Sequence, residues 1–313
     1  MYICGGMNKY YIYIAAGFLL AAAFISCFDE DSKDANRITM TTTFEGKLGV
    51  YLIGTGRAEI NWGDGNSRAI ALVKPDDFLA IYEREYQHTY TSANAKTITI
   101  TGDNITGLMT GWGEAATDLD VSHCPSLKYL NCNYEQLSTL DISKNTALVE
   151  LYCIDNQLIK LDVSKNTALQ ALGCHNNQLT TLDLSNNTEI IELNCKDNQL
   201  TLLDFSKNTQ LKYLYCGNNQ LTAIDVSKCN ELIILSCNAN LLPSLDLSKN
   251  VALHSLYCQD NKLNAEALNT LFGDLPDRAE TTMGGVDVRD NPGVAEAEYN
   301  PTIATVKNWS VID

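Results

Sequence analysis

Seven cysteines recur at a spacing of 21 residues: Cys132, Cys153, Cys174, Cys195, Cys216, Cys237 and Cys258. Thiols can hold zinc, form disulfides or act as nucleophiles. Zinc sites draw their ligands from pairs about two to four residues apart, and this column contains none. Cysteine is also a small, readily buried apolar side chain, and a strict long period fits core packing better than chemistry. Cys124 and Cys229 stand outside the column. At ~4.8 Å per repeat they lie ~24 Å apart, far beyond the ~7 Å that a disulfide spans.

A second ladder runs through Asp120, Asp141, Asp162, Asp183, Asp204, Asp225 and Asp246. Stacked carboxylates repel, but Lys144, Lys165, Lys207, Lys228 and Lys249 follow three residues on, and Ser122, Ser143, Ser164, Ser185, Ser206, Ser227 and Ser248 can donate hydrogen bonds. This composition reads as a solvated edge; the lysines would compete with a row of bound cations. His88, His123, His175 and His254 are scattered, with no nucleophile elbow, phosphate loop or zincin helix. The sequence therefore points to no enzyme, no metal and no cofactor.

Both ladders belong to seven gapless blocks of 21 residues, beginning at Leu119, Leu140, Leu161, Leu182, Leu203, Ile224 and Leu245. Each block has two similar halves, as in Leu148-x-x-Leu151-x-Cys153-x-x-Asn156 and Leu158-x-x-Leu161-Asp-Val163-Ser-x-Asn166. Leu151 and Cys153, two apart, face one side of a strand and Tyr152 the other. One such strand cannot bury its apolar side alone; stacking merges the sides into a core. Asn156, Asn177, Asn198, Asn219, Asn240 and Asn261 form a column suited to satisfying backbone groups at the following turn, with Glu135 in that place in the first repeat. The nested pattern resembles the bacterial IRREKO class of leucine-rich repeats. That resemblance implies a mainly β leucine-rich-repeat solenoid over residues 108–265. Because both halves carry strand grammar, two parallel sheets on opposite sides of the coil are expected.

Upstream, alternating β-branched segments broken by glycine turns, such as Lys47–Ile53 and Lys96–Thr101, predict a small β-sandwich over residues 37–107. Trp62-Gly63-Asp64-Gly65, followed by His88-Thr-Tyr90, resembles a PKD-type domain, in which the Gly-Asp-Gly serves a tight turn. Ile105-x-x-Leu108-x-Thr110 reads as a degenerate zeroth repeat shielding the core. Residues 266–313 read as a cap: a helix over Glu266–Phe272, a last strand and turn over Gly285–Pro292, and a closing helix over Thr302–Asn308.

The first 27 residues have a secretory layout: Lys9, an apolar run from Tyr11 to Ile25, then Ser26-Cys27. Met7 is an alternative start. Phe24-Ile25-Ser26-Cys27 resembles a bacterial lipobox, which implies lipidation of Cys27 and an outer-membrane lipoprotein. The acidic residues 28–36 are either a surface-export signal or a solvated spacer. A net charge of −16 excludes a nucleic-acid partner. These readings converge on a monomeric, lipid-anchored binding protein at the surface of a Gram-negative cell, with a protein or glycan ligand. The alternative is a structural spacer without a ligand. The candidate binding face is the outward column beside the Leu-x-Cys strands: Asn131, Tyr152, Asn194, Tyr215 and Tyr257, with Tyr129 and Tyr213 in the neighbouring column.

Overall fold

The computed structural model describes residues 36–75, 84–111, 116–278 and 283–313. The secretory segment, Cys27 and most of the acidic tether lie outside them.

Each repeat contributes one short strand: β7 (Tyr129–Asn131), β8 (Glu150–Tyr152), β9 (Ala171–Gly173), β10 (Glu192–Asn194), β11 (Tyr213–Tyr215), β12 (Ile234–Ser236) and β13 (Ser255–Tyr257). They pair in parallel and in register, so equivalent residues of successive repeats stand side by side. The central leucine of every strand and the cysteine after it are buried, as at Leu151 and Cys153. The period-two alternation is thus realised: Leu and Cys go in, and the residues flanking the leucine go out.

The second sheet expected from the other half-repeat does not form. Segments such as 158–166 run as turns on the far side of the core. Their backbone is satisfied locally: Asn166 N–H donates to the Val163 carbonyl at 3.0 Å and Leu169 N–H to the Asn166 carbonyl at 3.1 Å. Asp162 Oδ1 accepts from Ser164 N–H at 2.9 Å, an Asx turn that bends the chain where a strand would continue. Leu161 and Val163 still point inward. The hydrophobic alternation was right for burial, and the Asp-x-Ser-x-Asn string decided the backbone.

Before the repeats, six strands form an antiparallel module: β1 (Asn36–Thr42), β2 (Gly46–Asn61), β3 (Ser67–Ala71), β4 (Tyr86–Tyr90), β5 (Lys96–Thr110) and β6 (Ala116–His123). The long β2 pairs with β4 through Gly46–Val50 and with β3 through Arg57–Asn61, while β1 lies between β5 and β6. Strand β5 runs without a break across Gly107, and its Gly107–Met109 segment pairs in parallel with β7. Leu108 therefore sits in the leucine row, as the zeroth-repeat reading requires. Strand β6 takes in the first block's Leu119-Asp120-Val121 and pairs with β1.

At the other end, α1 (Ala265–Asp274) starts at Asn264, whose Oδ1 accepts from Ala267 N–H at 2.9 Å. Strand β14 (Gly284–Asp287) adds to β13. The closing helix α2 is only Thr302–Thr305, and the chain then adds a strand that the sequence reading missed, β15 (Trp309–Ile312), beside β14. Trp309 covers Gly284, where a Cβ would stand 2.6 Å from the indole Cδ2, and its Nε1–H donates to the Pro276 carbonyl at 2.8 Å. One hydrophobic core runs from Ile38 to Trp309.

Candidate functional site

Two asparagine ladders set the pitch on which any outward surface is built. Asn156 Nδ2 donates to the carbonyls of Cys132, Cys153 and Ile154 at 2.8, 3.2 and 3.2 Å, and its Oδ1 accepts from Leu137 N–H at 3.0 Å. This is the turn role expected for that column, and Glu135 takes it in the first repeat by accepting from Ala116 N–H at 2.7 Å. A second ladder runs on the far side, at the repeat position where Cys124 and Cys229 replace asparagine; its bonding role was not read from the sequence. Asn166, fully buried, donates to the carbonyls of Ile142 and Asn145 at 3.0 and 2.8 Å. Cys124 and Cys229 hold two of its positions and direct thiols at the carbonyls of Ile105 and Asn208 at 3.5 and 3.6 Å.

The other two ladders carry no site chemistry. All nine described cysteines are buried free thiols, and burial pushes Cys195 and Cys237 up to about 12. The ladder aspartates, half-buried at Asp120 and exposed in the later repeats, accept from the serine two residues on, which holds their carboxyls below the usual range. Among the described residues, no group of three or more His, Cys, Asp or Glu is placed to hold a metal ion. In the antiparallel module, His88 Nε2 lies 2.7 Å from Asp64 Oδ2 and stacks on Trp62, and Tyr90 Oη donates to the Trp62 carbonyl at 2.7 Å. These contacts lock the Gly63-Asp64-Gly65 turn, in which both glycines adopt positive φ.

The outward face of the parallel sheet is different. A groove of about 440 Å³ runs along it from Asn131 to Tyr257. Of the residues singled out from sequence, Asn131, Tyr152, Asn194, Tyr215 and Tyr257 line it, while Tyr129 and Tyr213 stand in the neighbouring column outside the lining. Their exposure is uneven. Tyr257 is exposed, Tyr152, Asn194 and Tyr215 are half-buried, and Asn131 is buried with Oδ1 accepting from Asn133 N–H at 3.2 Å. Asn131 is thus a turn-capping residue rather than a freely presented one.

Three more residues stand on or beside this face: His175 and Glu192 line the groove, and Glu150 shares with Glu192 the outward column of Tyr129 and Tyr213. His175 is 5% exposed, and neither ring nitrogen has a hydrogen-bond partner. Burial, assisted by Lys196, holds its imidazole down at about 3, so it is neutral at ordinary pH. Glu150 is 3% exposed with Oε2 unpartnered; burial pushes its carboxyl up to about 8 against a hydrogen bond from Tyr152, which lowers it, and Glu192 adds to the rise. Glu192 is raised by burial alone.

The comparisons with known proteins agree with this architecture. No protein-family model matches the sequence, and no curated protein matches it. Among solved structures, the functional domain of InlJ from Listeria monocytogenes, which includes a cysteine ladder, is 36% identical, with TM-score 0.53, over 60% of this chain and 40% of that one. A second internalin of Listeria monocytogenes, InlF, is 22% identical, with TM-score 0.51, over 61% of this chain and 55% of that one. A leucine-rich-repeat protein of Leptospira interrogans is 20% identical, with TM-score 0.51, over 62% of this chain and 56% of that one. The matched part spans from two fifths to just over half the length of these structures. A groove lies on the outward face of the repeat sheet, and the chain is a mainly β leucine-rich-repeat solenoid similar to bacterial leucine-rich-repeat proteins.

Proposed function

We propose that this chain acts by binding, and that its ligand, a protein or glycan, docks along the outward face of the repeat sheet. The observation that carries the reading is the groove itself. A spacer needs only a polar outer surface, whereas Tyr152, Tyr215 and Tyr257 are set along one depression together with unpaired buried polar groups. Tyrosine offers a rigid amphipathic contact at low entropy cost. The rest of the reading rests on sequence: Cys27 is the lipidated residue, the chain is a monomeric outer-membrane lipoprotein presented on the cell surface, and the antiparallel module is a PKD-like spacer between anchor and solenoid.

Two measurements test it. Cells displaying the full chain should bind a host-surface or matrix ligand, and the combined Tyr152→Ala, Tyr215→Ala and Tyr257→Ala change should abolish that binding with the melting curve unaltered. Undiminished binding would move the site off this face. A fatty-acid probe should label the wild type and not Cys27→Ala; retained label would remove the anchor from the reading.

A further inference from the structure

Tyr152, Asn194, Tyr215, Ser236 and Tyr257 stand in one in-register outward column on β8, β10, β11, β12 and β13. Three rungs separate the first two tyrosines and two rungs the last pair, ~14 and ~10 Å at ~4.8 Å per rung. Tyr152 and Tyr215 are half-buried and Tyr257 is exposed, so each presents surface to the groove. The Tyr152 ring lies over Gly173, so on that rung the floor of the groove is the ring itself.

Between the tyrosines the groove presents carboxamides. Asn194 Oδ1 accepts from Lys196 N–H at 3.4 Å, and Asn238 Oδ1 accepts from the Ser236 hydroxyl at 2.9 Å. Each oxygen is thus used within the protein, and each Nδ2 group has no hydrogen-bond partner among the described residues. Both side chains are half-buried and line the groove. The order along the surface is therefore tyrosine, amide donor, tyrosine, amide donor, tyrosine.

Charge narrows the ligand further. The chain carries 38 acidic and 22 basic residues, yet the groove is lined by one carboxylate and one amine, Glu192 and Lys196. Lys196 Nζ stands 3.7 Å from Asp197 and is engaged there. At the far end Asp287, beside Tyr257 in the column, pairs with Arg289 at 2.7 Å. A cationic partner meets no excess of carboxylates here. An anionic one meets no unengaged lysine or arginine in the lining, and the net charge of −16 repels it. A protein surface brings a polar, charged rim that this lining does not answer.

We propose that the groove binds a neutral oligosaccharide, with sugar-ring faces resting on Tyr152, Tyr215 and Tyr257 and hydroxyl oxygens accepting from Asn194 and Asn238. The proposal rests on reading the outward sheet face as the binding surface, and it chooses glycan over protein as the ligand. Sugars combine the two features the column alternates: C–H faces that pack on aromatic rings, and uncharged oxygens around the rim. The tyrosines span five rungs, ~24 Å. A single sugar cannot touch all three, whereas several linked rings can.

The test is calorimetry on the full chain with oligosaccharides of glucose, mannose and galactose, and with oligogalacturonate as the anionic counterpart. At least one neutral oligosaccharide should bind saturably, and oligogalacturonate at least about tenfold more weakly. Raising salt from about 0.05 to about 0.5 M should leave the neutral affinity within about twofold, since no charge is there to screen. Tyr215→Ala and Tyr257→Ala should each weaken binding at least about fivefold, while Tyr257→Phe, which keeps the ring, retains it. Asn238→Asp keeps the shape and the acceptor for Ser236 but loses the donor, and should weaken binding about tenfold even if a tyrosine variant folds poorly. No saturable binding of any neutral oligosaccharide, equal binding of oligogalacturonate, a steep salt dependence, or indifference to Asn238→Asp overturns the proposal. A protein ligand that is lost in the triple tyrosine variant and indifferent to Asn238→Asp would overturn it too, while leaving the sheet-face reading standing. A neutral oligosaccharide bound equally well by the triple tyrosine variant would overturn both.

Discussion

The ring of Tyr152 lies across Gly173, so close that a Cβ on Gly173 would stand 2.8 Å from Tyr152 Cδ1. Two effects oppose each other in Gly173→Ala. Alanine in a strand gains ~0.5–1 kcal/mol over glycine, but overpacking against a ring costs ~1–3 kcal/mol. The substitution should therefore destabilise the wild type. In a Tyr152→Ala background the clash is gone and Gly173→Ala should stabilise. A double-mutant cycle by urea unfolding reads the reversal, and equal signs in both backgrounds would show that the ring does not lie there.

Stability should depend on pH through two buried groups with opposite signs. The Glu150 carboxyl is raised from 4.5 to about 8, so its stabilising contribution is complete below about pH 4.5 and is lost as pH rises through 8. The His175 imidazole is lowered from 6.5 to about 3, so its contribution is present above 6.5 and lost as pH falls toward 3. Maximum stability should lie between about pH 4.5 and 6.5. The alkaline limb should fall by up to about 1.4 kcal/mol per pH unit, and Glu150→Gln should flatten it. Denaturant unfolding at pH 5 and pH 8 is the measurement; an unchanged slope in Glu150→Gln would refute the assignment.

Asn166 holds two preceding turns through its carboxamide, from a fully buried position. Replacing it by alanine orphans two buried carbonyls and should cost ~1–3 kcal/mol. Asn166→Cys should cost less, because the repeat already tolerates thiols at Cys124 and Cys229, where each reaches a carbonyl. Melting temperatures of the two variants decide it.

The cysteine column should be inert in the folded protein. A thiol reagent at pH 8 should leave the seven ladder cysteines unmodified, since burial raises their thiols and removes access. Unfolding without a reductant should make all seven reactive. Intact mass gives the count, and missing adducts would indicate disulfides. Cys195→Ser, which buries a hydroxyl in place of the thiol, should cost ~2 kcal/mol.

The solenoid was legible because its signal is arithmetic. Leu151 and Cys153 go in and Tyr152 faces out, and the same offsets hold at Leu214, Cys216 and Tyr215. The missing second sheet was not legible from hydrophobicity, because Leu161 and Val163 are buried whether or not their backbone pairs. The deciding signal was polar: an aspartate that accepts from the serine two residues later and an asparagine that reaches back one and two turns. The outward column was found by the same alternation, and its tyrosines with it. Alternation also put Glu150 and Glu192 in the outward column beside Tyr129 and Tyr213, but not the burial of Glu150, Glu192 or His175, because a polar residue at an outward position reads as solvated. Only their packing shows two of them to be buried and Glu192 partly so. Strand β15 was missed because Trp309–Ile312 has no leucine grammar; it pairs because β14 leaves an open edge.

Nearly every side-chain hydrogen bond that crosses from one repeat to another spans 19, 21 or 24 residues, as at Asn156 to Leu137, Asn166 to Asn145 and Asn166 to Ile142. Length is therefore quantised. Excising or duplicating any whole 21-residue block from the middle rejoins donors to equivalent acceptors, and the scaffold changes size by one rung of ~4.8 Å without new loops.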